Sequence, residues 1–380
     1  VWNFVKKRQR QGMGFYGIRR RKPQIERTAA GGFVAAQAGD PRSEALPRAD
    51  GKHRKHEEQN RWMKTTVVIP NYNGKHFLQD CLDSLLQSTV EIAVIVVDNG
   101  STDGSVSWIQ EHFPQVKLIC FSENKGFCTA VNTGIEAAAT PYVFLLNNDT
   151  KTDRFCLERL ERAMEADEKI FSVGAKMLSM KEPELVDTAG DLYSAFGWAY
   201  AIGKGRPSSN YTAPKRVFSN CAGAALYRKA HLEQIGGFDE LHFAYLEDVD
   251  IGYRAQIFGL KNVTEPAAVV YHAGSGSTGS RYNAFKVTHS SRNNIYLIYK
   301  NMPLLQLILN LPFLLAGFLM KQLFFIQKGF GATYAKGIRA GICLSASKAG
   351  RAHKVPFTGR NLLHYCSLQL QLWVNLFRRV

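Results

Sequence analysis

From Met63 onward the chain alternates short apolar runs with apolar positions at helical spacing. Thr66-Val67-Val68-Ile69 is a run closed by Pro70, after which Phe77, Leu78, Cys81, Leu82, Leu85 and Leu86 recur with the period of a helix. Ile92 to Val97 is a second run, ending in Asp98. Val116 to Phe121 is a third and Tyr142 to Leu146 a fourth, with Ala130, Val131, Ile135 and Ala138 marking a helix between them. Continuous apolar runs separated by helices predict an α/β fold, a mostly parallel sheet covered by helices on both faces. Sheets of this kind bind ligands beyond the carboxyl ends of their strands. At those ends stand Asn71, Tyr72 and Asn73, then Asp98, Asn99 and Ser101, then Asn124 and Lys125, then Asn147, Asn148 and Asp149. Four strand ends thus deliver hydrogen-bonding groups to one rim.

The two ends of the chain read differently. Residues 1–62 carry clusters such as Lys6-Lys7-Arg8-Gln9-Arg10 with no sustained period, and no apolar stretch of secretory-signal type. They are expected to be a disordered basic extension, with the native protein beginning near Met63. Residues 281–380 are expected to form a helical tail. Within it Asn301 to Met320 runs without a charge and reaches the length of a membrane helix, but Pro303, Pro312, Gln306 and Asn310 interrupt its apolar character. Two readings stand: a buried core helix pair, or a segment lying in or dipping into the membrane, held by the basic tail on anionic headgroups. Trp373, Phe377, Arg378 and Arg379 form an aromatic and basic cluster suited to an interface.

Charge sharpens this division. The 380-residue chain has a net charge of +16, which by itself points to nucleic acid, but residues 63–265 are net acidic and the last 115 residues contain no Asp or Glu. The interior lacks a basic stripe with interleaved aromatics, so nucleic-acid binding is not expected. Apolar residues make up 45% of the chain, enough to bury a core. The seven cysteines show no CxxC pair and no zinc spacing, which predicts scattered thiols. Neither GxGxxG nor GxxxxGK[ST] occurs, so neither a dinucleotide fold nor a P-loop is indicated.

The rim defines what could bind. Asp98 can accept from a ribose hydroxyl or a base N–H, and Asn71 and Asn73 offer donors and acceptors. Lys125 can neutralise a phosphate, and Asp149 is a hard oxygen ligand suited to magnesium or manganese beside a diphosphate. Taken singly, each is as readily a turn or cap residue; their joint placement on successive strand ends carries the argument. Further on, Glu247, Asp248 and Asp250 crowd a helix start. They serve either as helix-dipole partners or as mutually perturbed carboxylates, one of them a general base. His272 follows the strand Ala267 to Tyr271 and leads into a Gly/Ser loop, where it could be a second metal ligand.

Five stretches in order, Thr66-Val67-Val68-Ile69-Pro70-Asn71-Tyr72-Asn73, Val97 to Asp103, Asn124 to Phe127, Leu145 to Asp149 and Leu246 to Asp250, resemble glycosyltransferase family 2 across about residues 65–280. The Asn147-Asn148-Asp149 form and Tyr271 to Gly276 are most similar to its rhamnosyltransferase-like branch. The resemblance implies a GT-A catalytic domain over 63–280 and inverting transfer from a nucleotide-diphosphate sugar. Rhamnose is the candidate sugar, and the acceptor a hydroxyl on a polyprenyl-linked or polysaccharide glycan. It implies Pro70, Asn71, Asn73, Asp98, Lys125 and Asn148 on the nucleotide side, Asp149 and His272 on a Mg or Mn ion, and Asp248 with Glu247 as the catalytic pair. The expected place is the cytoplasmic face of the membrane. The motif departs from the family's DxD form in keeping one carboxylate, and the Gln-x-x-Arg-Trp motif of processive synthases is absent. The alternatives are a non-catalytic nucleotide-sugar-binding protein of the same fold and a transferase using another donor such as a UDP-hexose. Trp198 and Tyr200 are candidates for stacking on a sugar, and Asn220 to Leu226 for the acceptor side.

Overall fold

The computed structural model describes residues 63–274 and 282–378; the basic extension 1–62, residues 275–281, and Arg379 and Val380 lie outside the described residues. The first four apolar runs form β1 (Thr65–Asn71), β2 (Ile92–Asp98), β3 (Lys117–Cys120) and β4 (Tyr142–Leu146), with helices α1 (Lys75–Leu86), α2 (Ser105–His112) and α3 (Phe127–Ala137) between them. β1 pairs in parallel with both β2 and β4, and β2 with β3. Alternate residues of each run serve opposite faces. Val67, Ile69, Val96 and Phe144 pack against α1, α2 and α4 (Cys156–Glu165), while Val68, Ile95, Val97 and Val143 pack against α3.

The second half mixes directions. β5 (Thr150–Thr152), β6 (Ile170–Ser179), β7 (Val186–Thr188), β8 (Asp191–Tyr193), β9 (Ala199–Ala201), β10 (Lys215–Val217), β11 (Ala224–Arg228) and β12 (Lys261–His272) follow in chain order, with α5 (Lys229–Ile235) and α6 (Glu247–Ile257) before the last. The main sheet runs β10-β12-β6-β11-β4-β1-β2-β3, and β11 is antiparallel to both of its neighbours. β12 is longer than the run from Ala267 implies. Its pairing with β6 shifts register between Glu265 and Val269, around Pro266, which has no N–H to give the ladder.

Five helices complete the described chain: α7 (Ala284–Asn301), α8 (Leu304–Gln327), α9 (Gly331–Ala346), α10 (Lys348–Ala352) and α11 (Leu362–Val374). They share a core with the sheet region, in which Val249, Tyr253 and Ile257 of α6 meet Leu297 and Ile298 of α7, Leu314 of α8, and Leu368 and Leu372 of α11. The buried core helix pair does not describe α8. Its polar residues face inward: Gln306 is 4% exposed and bonds the Tyr253 hydroxyl at 2.7 Å, and Asn310 is 0% exposed and bonds Gln369. Most of its leucines face outward, with Leu304 72% and Leu315 61% exposed, while Leu314 enters the core. Pro312 lies inside the helix without ending it. All seven cysteines are free thiols.

Candidate active site

The first wall of the site comes from parallel strand ends. The register sets Asn71 opposite Asp98, and the buried Asn71 amide donates to Asp98 Oδ2 at 2.8 Å. Asn71 Oδ1 accepts from Asn148 Nδ2 at 2.7 Å, which links the ends of β1 and β4. Pro70, Asn71 and Asn148 line a cavity of about 870 Å³; Asp98, Asn73 and Lys125 are not part of that lining. The second Asp98 oxygen accepts from the Ser101 N–H at 2.9 Å, so its carboxylate braces Asn71 and a turn from behind the wall. Asn73, in the left-handed region at φ 50°, accepts from the Thr102 N–H at 2.8 Å. Lys125 is exposed and holds its ammonium 4.8 Å from the Phe121 ring centroid. Asn99 and Asn124, neighbours in the motifs, do line the cavity.

The antiparallel part of the sheet supplies the second wall. β5 pairs with β12 so that Thr150 stands opposite His272, which brings Asp149 beside the imidazole. His272 Nε2 is 3.3 Å from Asp149 Oδ1, and Nδ1 is 2.9 Å from Asp187 Oδ2. Burial favours the neutral ring, but the bonds to Asp149 and Asp187 outweigh it and raise its pKa to about 9. Burial would likewise raise the Asp187 carboxyl; its bonds to His272 and Lys204 hold it at about 2. Motif reading missed Asp187, because β7 is three residues long and leaves no periodic signal.

The third wall is the start of α6, where Glu247 and Asp248 both line the cavity. The three carboxylates of the helix start lie inside its first turn. Before it, Phe243, Tyr245 and Leu246 have φ of 63°, 74° and 66°, a costly state for side-chain-bearing residues. This segment is held from α7: Asn293 Nδ2 lies 2.9, 2.8 and 2.7 Å from the carbonyls of His242, Ala244 and Tyr245. Arg292 donates to the carbonyls of Leu241 and His242, both at 2.8 Å. On the other side the Phe127 N–H donates to the Phe243 carbonyl at 2.7 Å, an approach that glycine at 126 permits, since a Cβ there would lie 2.6 Å from the Phe243 ring. Burial raises the Glu247 carboxyl, and the neighbouring Asp248 charge raises it further; burial also raises Asp248. Asp191, another residue the motifs did not mark, lines the same cavity, its carboxyl pushed well above its usual range by burial and by Asp248. Cys221, Ala222, Gly223 and Tyr200 complete this side, whereas Trp198 does not line it and donates to the Gly317 carbonyl at 3.1 Å.

A second acid group, Asp239, His242 and Asp250, has ligand atoms within 4.8 Å of one another. Here the Lys300 ammonium already sits 2.7 Å from Asp239 and 2.8 Å from Asp250, and Arg254 bonds Asp250 at 2.9 Å. The cationic position is thus filled by side chains, and the group acts as a tie between α6 and α7.

A cleft at the carboxyl ends of a sheet, with amides on one side and acids on the other, suits an activated, anionic ligand and its cation. The profile described as "Glycosyl transferase family 2" matches residues 66–236. Over 257 residues the chain is 26% identical to N-acetylglucosaminyl-diphospho-decaprenol L-rhamnosyltransferase of Mycobacterium tuberculosis, covering 61% of this chain and 83% of that protein. Its fold is similar to that of S. aureus TarS in complex with UDP-GlcNAc, with a TM-score of 0.53, 17% identity, and 81% and 88% of the two chains covered. It is also similar to GalNAc-T7 with UDP, GalNAc and Mn²⁺, with a TM-score of 0.51, 15% identity, and 62% and 48% covered. Residues 66–236 are a glycosyltransferase family 2 domain, and the fold is of the GT-A type; the protein is a glycosyltransferase that moves a sugar from a nucleotide sugar.

Proposed function

We propose that the protein catalyses an inverting transfer of a sugar, with rhamnose the first candidate, from a nucleotide-diphosphate sugar to a hydroxyl of a lipid-linked glycan in cell-surface glycan synthesis. The observation that carries the reading is the convergence of Asn71, Asn148, Asp149, His272, Glu247 and Asp248 on one cavity. The choice of sugar and acceptor rests on the mycobacterial relative, whose name specifies an L-rhamnosyl transfer onto a diphospho-decaprenol-linked sugar. Residues 63–280 are assigned to catalysis and 281–380 to membrane association at the cytoplasmic face. The outward leucines of α8 and the acid-free sequence around it support that assignment.

Of the acid pair, Asp248 ionises first, because Glu247 bears the added cost of a second charge beside Asp248. Asp248 then takes the proton from the acceptor hydroxyl as that oxygen attacks the anomeric carbon from the face opposite the leaving diphosphate. Glu247, still protonated, keeps repulsion out of the site. Asn71 and Asn148 orient the nucleotide. Asp149 and His272 fit a Mg²⁺ or Mn²⁺ ion and would hold it: a buried carboxylate and an imidazole stand 3.3 Å apart, with Asp187 orienting the ring. Such an ion supplies charge neutralisation at the departing diphosphate. His272 would ligate as the neutral imidazole, so metal affinity should weaken as pH falls. The test is a panel of nucleotide sugars with Mg²⁺ or Mn²⁺, read by release of nucleoside diphosphate. Release with one donor, lost in Asp248→Asn while nucleotide binding persists, is the expected result; undiminished release by that variant defeats the base assignment.

A further inference from the structure

A second cavity, of about 470 Å³, lies beside the first and shares Ala199, Tyr245, Leu246, Lys286 and Ser290 with it. The two are chemically opposite. The first holds Asp149, Asp191, Glu247 and Asp248; the second has no acid in its lining and adds Lys321 of α8 to Lys286 of α7, which borders both. Among the described residues no carboxylate pairs with Lys321, whose ammonium is 5.6 Å from the Trp198 ring centroid. Five other lining residues are aromatic, four of them in one cluster: Tyr282 is 5.7 Å from Phe324 and 5.9 Å from Phe325, and Phe325 stacks on Tyr334 at 5.1 Å. Tyr334 is 3% exposed, and its hydroxyl is buried with no partner among the described residues. Buried polar groups are ordinarily satisfied, so an orphan hydroxyl in a cavity wall marks a place for a ligand oxygen.

We infer that this second cavity is the acceptor subsite and that it holds the phosphate headgroup of a polyprenyl-type lipid. Lys286, Lys321 and the Tyr334 hydroxyl face the phosphoryl oxygens, and the chain leaves past Phe324 and Phe325. The inference deepens the sugar-transfer reading and rests on it. Three observations fit one amphiphile. The strained segment at Tyr245 and Leu246 lies on the boundary between the cavities, immediately before Glu247 and Asp248. A glycan attached to the headgroup can cross that boundary and offer a hydroxyl to Asp248, while its phosphates stay clear of the acids. Beyond the phosphates, α8 carries Phe324 and Phe325 in the cavity wall and exposed Leu319, Leu323 and Ile326 on its surface, a continuous apolar route for an isoprenoid chain. The charge is complementary: the second cavity offers Lys321, and Lys286 on the shared boundary, to an anionic headgroup, with no carboxylate in its lining to oppose it.

The test uses the full chain in detergent, saturated with nucleoside diphosphate and Mn²⁺ so that the donor site is occupied, and titrates it with farnesyl diphosphate, inorganic pyrophosphate and farnesol. Farnesyl diphosphate is expected to bind at least tenfold more tightly than either fragment, and Lys321→Met and Lys286→Met each to weaken it about tenfold. For Lys321→Met, which lines only the second cavity, nucleoside diphosphate affinity should stay within twofold. Pyrophosphate binding as tightly as farnesyl diphosphate, with the same dependence on the lysines, overturns the lipid assignment. Farnesyl diphosphate indifferent to both lysines, with nucleotide binding intact, overturns the subsite alone. Failure of the unaltered chain to bind any nucleoside diphosphate with Mn²⁺ overturns the sugar-transfer reading beneath it.

Discussion

The parallel half of the sheet and the C-terminal helices put polar residues to different uses. Between residues 65 and 146 several polar groups at or just after strand ends open onto the first cavity: Asn71 closes β1, and Asn99 and Asn124 follow β2 and β3. From residue 284 onward a set of polar groups is turned inward against the sheet domain. Asn293 grips the carbonyls of the strained segment, Lys300 bridges Asp239 and Asp250, and Gln306 and Asn310 bond Tyr253 and Gln369. The first set presents chemistry, whereas the second holds it in position. A helix that looks like a membrane segment with polar blemishes is in fact docked through those blemishes, leaving its leucines for an apolar environment. The same residue types therefore read as ligand contacts in one region and as structural ties in the other, and burial decides between them.

The comparison can be broken first at the catalytic pair. Asp248→Asn should lower turnover by about 10²–10⁴-fold while leaving nucleotide diphosphate affinity within twofold, measured by nucleoside diphosphate release and calorimetry. An effect confined to stability would move Asp248 from the presenting set to the holding set. Next, Lys300→Met should cost about 3 kcal/mol in urea unfolding, because it strips the cation from two buried carboxylates. If it changed turnover without changing the unfolding midpoint, the tie would be misread. Asn293→Ala should lower turnover about tenfold by releasing the segment before Glu247, with a smaller loss of stability, roughly 1–2 kcal/mol; full activity would show the segment holds itself.

The pH dependence sharpens the contrast in sign. Burial raises the Asp248 carboxyl, which must be ionised to accept a proton, so activity should fall as pH drops through a value above that of an ordinary Asp. Asp239 behaves oppositely: burial would raise it, but Lys300 holds it at about 2. Its contribution to stability is complete above the ordinary carboxylate pKa of about 4 and is lost only as pH falls towards about 2. Activity should therefore fail well before the fold does, in a pH titration read by turnover and circular dichroism together. The smallest effect on the fold is expected on the outer face of α8. Leu315→Ser should leave unfolding within about 0.5 kcal/mol, a surface substitution, and reduce flotation with anionic vesicles.

How far the site could be read in advance varies residue by residue. Asn71, Asn148 and Asp149 were legible because each follows directly on a continuous apolar run, and a parallel strand's end is a local fact. Asp98 and Lys125 stood in the same kind of place, yet one is turned behind the wall and the other out to solvent, a difference set by the Ser101 turn and the Phe121 ring. Asp187 and Asp191 lie on strands of three residues, too short to show a period, and Asn293 is separated from the segment it holds by 48 to 51 positions.

The order of apolar runs and helical stretches was enough to determine an α/β sheet with a polar rim, since side-chain periodicity and strand ends depend only on near neighbours in the chain. Which of those polar groups share a cavity, which carboxyl rises or falls in pKa, and which way α8 turns its leucines were decided by packing. Those properties depend on register between distant strands and on the desolvation that comes only when remote segments close over one another.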